Sequence, residues 1–196
     1  MNIDFSGFIA VINRRFCAKM VVPLKEARYH ICLATALFIA GACIGFKQPD
    51  RFGESFDYLA GLAALLRDSH PLIIILFLFL KNALASFIAL WSGVLLGIIP
   101  AVAAAQNGAL VGVVFSWKES FSVVLLNILP HGIFELPALF IACGIGLWRG
   151  TWFFRKNKDE TYKDRARKGY RVYCGVIIPL LFLAAIIEGV RIAQIR

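Results

Sequence analysis

The chain has 196 residues, 60% hydrophobic and only 17% charged, with a formal net charge of +9. A soluble domain averages about 45–50% apolar and about 25% charged residues, so the composition excludes a soluble globular protein and predicts a polytopic integral membrane protein. The basic residues cluster at the ends of apolar runs, where lipid headgroups and topology signals place them, and no aromatic–basic groove pattern accompanies them, which argues against nucleic acid as a partner.

In chain order, residues Asn2–Phe16 set Phe5, Phe8, Ile9, Ile12 and Phe16 at helical spacing, with Asn13, Arg14 and Arg15 elsewhere. This predicts an amphipathic N-terminal segment over 1–29, lying in the membrane interface or packed on the protein's own cytoplasmic loops. Residues 30–196 read as a single transmembrane domain. Its first span, 30–46, carries Gly41 and Gly45 as a GxxxG motif, which permits close helix approach. No small-residue cleavage pattern follows this run, so it is expected to remain as a span. The polar stretch 47–70 holds an apolar-faced segment, Phe56–Leu66, that suits a short surface helix. Pro71 suits the first turn of the second span, 71–97. Lys81 and Asn82 interrupt that span near mid-depth, and Pro100 is expected to end or kink it. The third span, 101–117, contains Gln106-Asn107-Gly108. This reads either as a tight turn at the membrane edge, with glycine at positive φ, or as an unwound turn offering carbonyls to a substrate. Lys118, Glu119 and Ser120 form a polar tip. The fourth span, 121–148, is expected to break near 127–132 at Pro130, and the fifth covers 172–190. The expected fold is an all-α transmembrane helical bundle of about five spans with one broken or re-entrant helix.

Residues 1–30 carry five basic residues and residues 148–172 carry nine, against three in 47–70. The positive-inside rule places the first two regions in the cytoplasm and the third outside. That requires an odd number of crossings between 71 and 148: three, or one with re-entrant half-helices. Five cysteines, at 17, 32, 43, 143 and 174, show no CxxC or Cys/His spacing and are read as small packing residues.

Ionisable groups at membrane depth are costly, so each is a functional candidate. They are Lys81, His131, Glu135 and Glu188, joined by Asn82, Gln106, Asn107 and Asn127. In Asn127–Pro137, NILPHGIFELP, His131 and Glu135 are four apart and share a helix face. Pro130 suits the first residue of a helix starting inside the membrane, whose orphan N–H groups would mark a transporter-like site. Gly132 allows close backbone approach and Pro137 a kink. The pair could be a structural hydrogen-bonded lock, a proton- or ion-coupling pair, or part of a metal site, although two ligands are too few for zinc. Glu135 is expected to be protonated or paired with His131, Asn82 or Lys81. Lys81 and Glu188 could pair with each other. No HExxH, GxSxG or Walker motif occurs, so no catalytic residues, cofactor or metal are expected.

Leu129, Pro130, His131, Gly132, Glu135, Pro137 and Ala138 form a Leu-Pro-His-Gly-x-x-Glu-x-Pro core. With Asn82, Gly93 or Gly97, Pro100, Asn107-Gly108 and Ile187-Glu188, they resemble the stage II sporulation protein M family of membrane proteins over roughly 72–196. The resemblance implies a non-enzymatic, multi-pass cell-membrane protein that scaffolds a larger complex. The polar cluster keeps open a small transporter or channel subunit. The expected partners are the lipid bilayer and either further copies of the chain or other membrane proteins. Small-residue runs at Ala101–Ala105 and Ala142–Gly146 suit contacts between copies.

Overall fold

The computed structural model of the chain describes residues 5–54, 61, 69–116, 121–154 and 160–194, with the backbone alone for 5–18, 121–131 and 192–194. Every described element is helical. Helix α1 (Phe5–Lys47) is followed by a 3-10 turn at Pro49–Phe52, α2 (Pro71–Trp91), a 3-10 turn at Ser92–Val94 and α3 (Ile98–Ser116). Then come α4 (Phe121–Gly150), a 3-10 turn at Thr151–Phe154, α5 (Tyr162–Val172), a π-helical turn at Tyr173–Ile177 and α6 (Ile178–Gln194). Five segments are long and apolar enough to cross a membrane: Lys19–Lys47, Pro71–Val94, Ile98–Ser116, Gly132–Phe154 and Tyr162–Arg191. The chain therefore folds as an all-α transmembrane bundle.

Pairwise packing gives the directions of the spans. Gly41 lies against Ala105 and Gly45 against Ala109, so α1 and α3 run parallel. Ile31 lies against Gly144, Phe38 stacks edge-on with Phe140 at 5.2 Å, and α1 is thus antiparallel to α4. Ile75 meets Gly189, Phe79 meets Phe182 at 5.7 Å, and the Tyr173 hydroxyl donates to the Ala83 carbonyl at 2.8 Å, which makes α2 antiparallel to α6. The directions alternate along the chain. Between 71 and 154 lie three successive antiparallel segments that are each long and apolar enough to cross.

Small residues make this packing possible. A Cβ on Gly41, Gly45, Gly108 or Gly112 would overlap the carbonyl oxygen of Ala105, Ala109, Phe38 or Ala42 respectively. Two GxxxG motifs thus face each other, and helix backbones meet at a distance that only glycine allows. Helix α4 is the central element, with 142–150 buried in an unbroken run. The small residues at Ala142–Gly146, and Ala104 of the Ala101–Ala105 run, are buried within the chain and are not free for contacts between copies.

Three local expectations need correction. The helix break does not fall at 127–132. Helix α4 passes through Pro130 and Pro137 without interruption, so no helix begins at Pro130. In an apolar medium an internal proline forfeits one backbone bond, whereas a break strands several polar groups at each new end. The interruption lies instead at 92–97, where Leu96 (φ 55) and Gly97 (φ 77) adopt left-handed conformations. The Gly97 amide donates back to the Gly93 carbonyl at 3.2 Å. Pro100, expected to end a helix, lies in the first turn of α3, where its missing N–H removes no intrahelical bond. Second, Gln106-Asn107-Gly108 is neither a tight nor an unwound turn. It is regular helix, and Gly108 is buried against α1. Third, Cys143 alone among the described cysteines is a core packing residue; Cys32, Cys43 and Cys174 face outward.

Two other readings meet the structure only in part. α1 continues across residues 29 and 30, through Pro23, as one helix. The surface helix expected at 56–66 and the tip at 118–120 lie outside the described residues, residue 61 excepted.

Candidate functional site

Among the described side chains, Lys81, Asn107 and Glu188 lie on three different helices and do not bond one another. Lys81 is exposed and Asn82 half-buried. Asn107 is exposed, and its amide donates to the Ala103 carbonyl one turn earlier at 2.8 Å. Glu188 is half-buried, and its carboxylate lies 3.7 Å from Arg191 on the same helix, so the expected Lys81–Glu188 pair is absent. The contacts of Gly189 with Ile75 and of Phe182 with Phe79 place Glu188 near the level of Ile75, about 9 Å along α2 from Lys81 at about 1.5 Å per residue. Residues 131 and 135 share a face of α4 by helical geometry, and Glu135 is half-buried. The side chains of Asn127, Pro130 and His131 lie outside the described residues. Gly132 is buried and Pro137 exposed.

The dense polar constellation is at one end of the bundle, where the N-terminal part of α1, the end of α4, and α5 meet. Helix α5 starts cleanly because Thr161 forms a capping box with Asp164, each side chain bonding the other's backbone amide at 3.2 Å. This fixes the phase of α5, which turns Arg165 inward and Lys168 toward α1.

Two arginines are almost fully buried there, Arg149 and Arg165, each 2% exposed. The Arg149 guanidinium donates to the Leu90 carbonyl at 2.7 Å and to the Tyr162 hydroxyl at 2.9 Å. It also sits 4.8 Å from the centre of the Trp91 ring. Arg165 donates to the Trp148 carbonyl, reaches Glu160 at 3.2 Å, and lies 4.5 Å over the Trp148 ring. Leu90 and Trp148 belong to the last turns of α2 and α4, whose final carbonyls have no intrahelical donor. The negative end of each helix dipole favours a cation at that point. The two guanidiniums therefore satisfy helix ends and stack on aromatic rings at once.

Around them, Lys168 bridges Glu26 of α1 at 2.8 Å and Glu160 at 2.7 Å. His30 Nε2 lies 3.1 Å from the Thr151 hydroxyl. The Trp152 indole donates to the Glu160 carbonyl at 2.7 Å. An open cleft of about 870 Å³ runs between these groups, lined by Glu26, His30, Trp148, Glu160, Arg165 and Lys168 among others. The arrangement ties α1 to the 151–161 connection and to α5 and leaves a charged surface.

In the sequence Arg149, Arg165 and Lys168 read as topology signals and His30 as a histidine at a span end, while Glu26, Trp148 and Glu160 by themselves carry no signal of a site. The available signal was the Trp148-Arg149 pair at the end of an apolar run. A tryptophan and an arginine at that depth suit an interfacial belt, and an arginine there also suits a helix C-terminus.

No curated protein and no solved structure matches the chain. A family model described as Stage II sporulation protein M matches residues 31–190, which takes in three whole spans, all but the last residue of the fifth and most of the first. With a match over that much of its length, the chain belongs to the Stage II sporulation protein M family.

Proposed function

We propose that this chain is a non-enzymatic scaffold, a membrane component that holds other proteins in a larger complex. The observation that carries this reading is the dispersal of the described polar side chains of α2, α3 and α6. Lys81 and Asn107 point outward from different helices, and Glu188 is held by its own helix. The interior between α1, α3 and α4 is instead closed by glycine-mediated backbone contact. A transport path needs polar groups lining a shared interior, whereas a scaffold needs a rigid interior and polar groups on its surface. The charged cleft between α1 and α5 adds a second surface outside the apolar core.

The orientation belongs to the same proposal. The two basic regions, 1–30 and 148–172, meet at one end of the bundle through the Glu26–Lys168 and His30–Thr151 contacts. Under the positive-inside rule that end is cytoplasmic, in the cell membrane.

The rival reading, a small transporter or channel subunit, is favoured by half-buried Glu135 on the central helix. Purified chain in liposomes carrying a pH-sensitive dye distinguishes the two. The scaffold reading expects no proton or cation flux above protein-free liposomes under a pH gradient or a membrane potential. Flux that Glu135→Gln abolishes would establish the transporter instead.

A further inference from the structure

Lys81 is the residue that neither the fold nor the cytoplasmic-end cluster explains. Helix α2 runs from Pro71 to Trp91, with ten residues on each side of Lys81. At about 1.5 Å per residue, its Cα lies about 15 Å from either end of the helix, the middle of a hydrocarbon core about 30 Å thick. Its side chain is exposed, and no hydrogen bond or ion pair to it exists among the described residues. The flanking face of α2 is apolar and outward: Leu80 is 54% exposed and Leu84 61%. A four-carbon stem does not span the distance to either interface, so snorkelling leaves the ammonium in hydrocarbon.

The chain's own acids do not answer this charge. Glu188 is taken by Arg191 and sits nearer the level of Ile75 than that of Lys81, and Glu135 is half-buried on the central helix. A two-fold contact between copies through this face of α2 would oppose Lys81 to Lys81, because a symmetric interface pairs each patch with itself. We infer that Lys81 is an intramembrane docking contact for a different protein, through a transmembrane helix that presents a carboxylate at the middle of the bilayer and packs on the Leu80–Leu84 face of α2. A lysine–carboxylate pair in hydrocarbon removes two isolated charges at once, and the cost of leaving either one alone makes the contact selective. This inference rests on the scaffold reading and supplies the chemistry of one partner.

The test uses the full chain, donor-labelled and reconstituted in lipid vesicles with acceptor-labelled model peptides. Each peptide is a Leu/Ala transmembrane helix with Glu, Leu or Lys at its centre. Energy transfer should show the Glu peptide binding about tenfold more tightly than the Leu peptide, with the Lys peptide weakest. Lys81→Leu, which removes an unpaired charge and so should fold at least as well, abolishes the preference. Lys81→Arg keeps it, and Lys81→Glu transfers it to the Lys peptide. Equal binding of the Glu and Leu peptides, or a preference that survives Lys81→Leu, overturns the inference. So does competition by unlabelled chain that depends on Lys81, which would make the occupant a second copy. The flux assay decides the scaffold reading and the peptide assay decides Lys81, so either can fail alone.

Discussion

Arg149 and Arg165 each close the end of a helix that is not their own, and their partners differ in how much they depend on them. Replacing Arg149 with methionine leaves the Leu90 carbonyl and the Tyr162 hydroxyl without a donor in a buried site. That should cost about 1–3 kcal/mol. Arg149→Lys should recover only part of it, since an ammonium cannot fork across both oxygens and stack on Trp91 as a guanidinium does. Lys168→Met should cost at most about 1 kcal/mol, because Lys168 and Glu26 remain 28% and 35% exposed and solvent screens the pair. Thermal unfolding of the three variants in one detergent checks the ranking; an Arg149→Met protein that melts no lower than Lys168→Met contradicts it. None of this was legible in the sequence. Leu90 is 59 residues from Arg149, and Trp148 is 17 from Arg165. An arginine in a basic run looks the same whether it faces solvent or caps a distant carbonyl.

Helix pairs, by contrast, are set by where glycine is spaced. Gly41 and Gly45 stood out in the sequence as one GxxxG, and the structure supplies the partner that no local pattern could name, Gly108 and Gly112 on α3. Gly41→Val or Gly108→Val would drive a side chain into a backbone carbonyl that cannot rotate away. Overpacking of this kind costs about 1–3 kcal/mol, and here both helices must separate to relieve it. Each should give aggregated or poorly recovered protein by size-exclusion chromatography, while Gly53→Ala, with nothing within 4 Å of its new Cβ, should elute as the parent does. A parent-like Gly108→Val protein would disprove the close α1–α3 packing. The same logic explains the misplaced break. Pro130 is the stronger local signal, yet a proline inside an apolar helix is tolerated. The interruption needed two consecutive left-handed residues, and only one of them, Gly97, advertised it. Composition gave five apolar segments correctly because length and hydrophobicity are properties of a span by itself. Contacts between spans are not, and Glu188 pairs with Arg191 of its own helix rather than with Lys81.

At the level of the whole molecule, the alternating directions fix which connections share a side of the membrane. Helices α1 and α3 run parallel, and α4 runs against α1. The turn at 92–97 therefore sits beside the end of α4, where Gly150 packs on Gly97 and Leu96. The start of α5 lies at the same end, held by Arg149 to Tyr162 and by Arg165 to Trp148. The 3-10 turn at Pro49–Phe52 follows α1 at the opposite end. Single cysteines at Leu95, Lys163 and Gly53, in a chain otherwise cleared of cysteine, test this with a membrane-impermeant thiol reagent. Leu95→Cys and Lys163→Cys should react from one side and Gly53→Cys from the other, whatever the absolute orientation. The positive-inside rule further assigns the Lys163 side to the cytoplasm, so in intact cells only Gly53→Cys should label. Labelling of Leu95→Cys and Gly53→Cys from the same side would mean that α2 does not cross. The bundle would then have one crossing with re-entrant segments between 71 and 148, and Lys81 would no longer lie at mid-membrane.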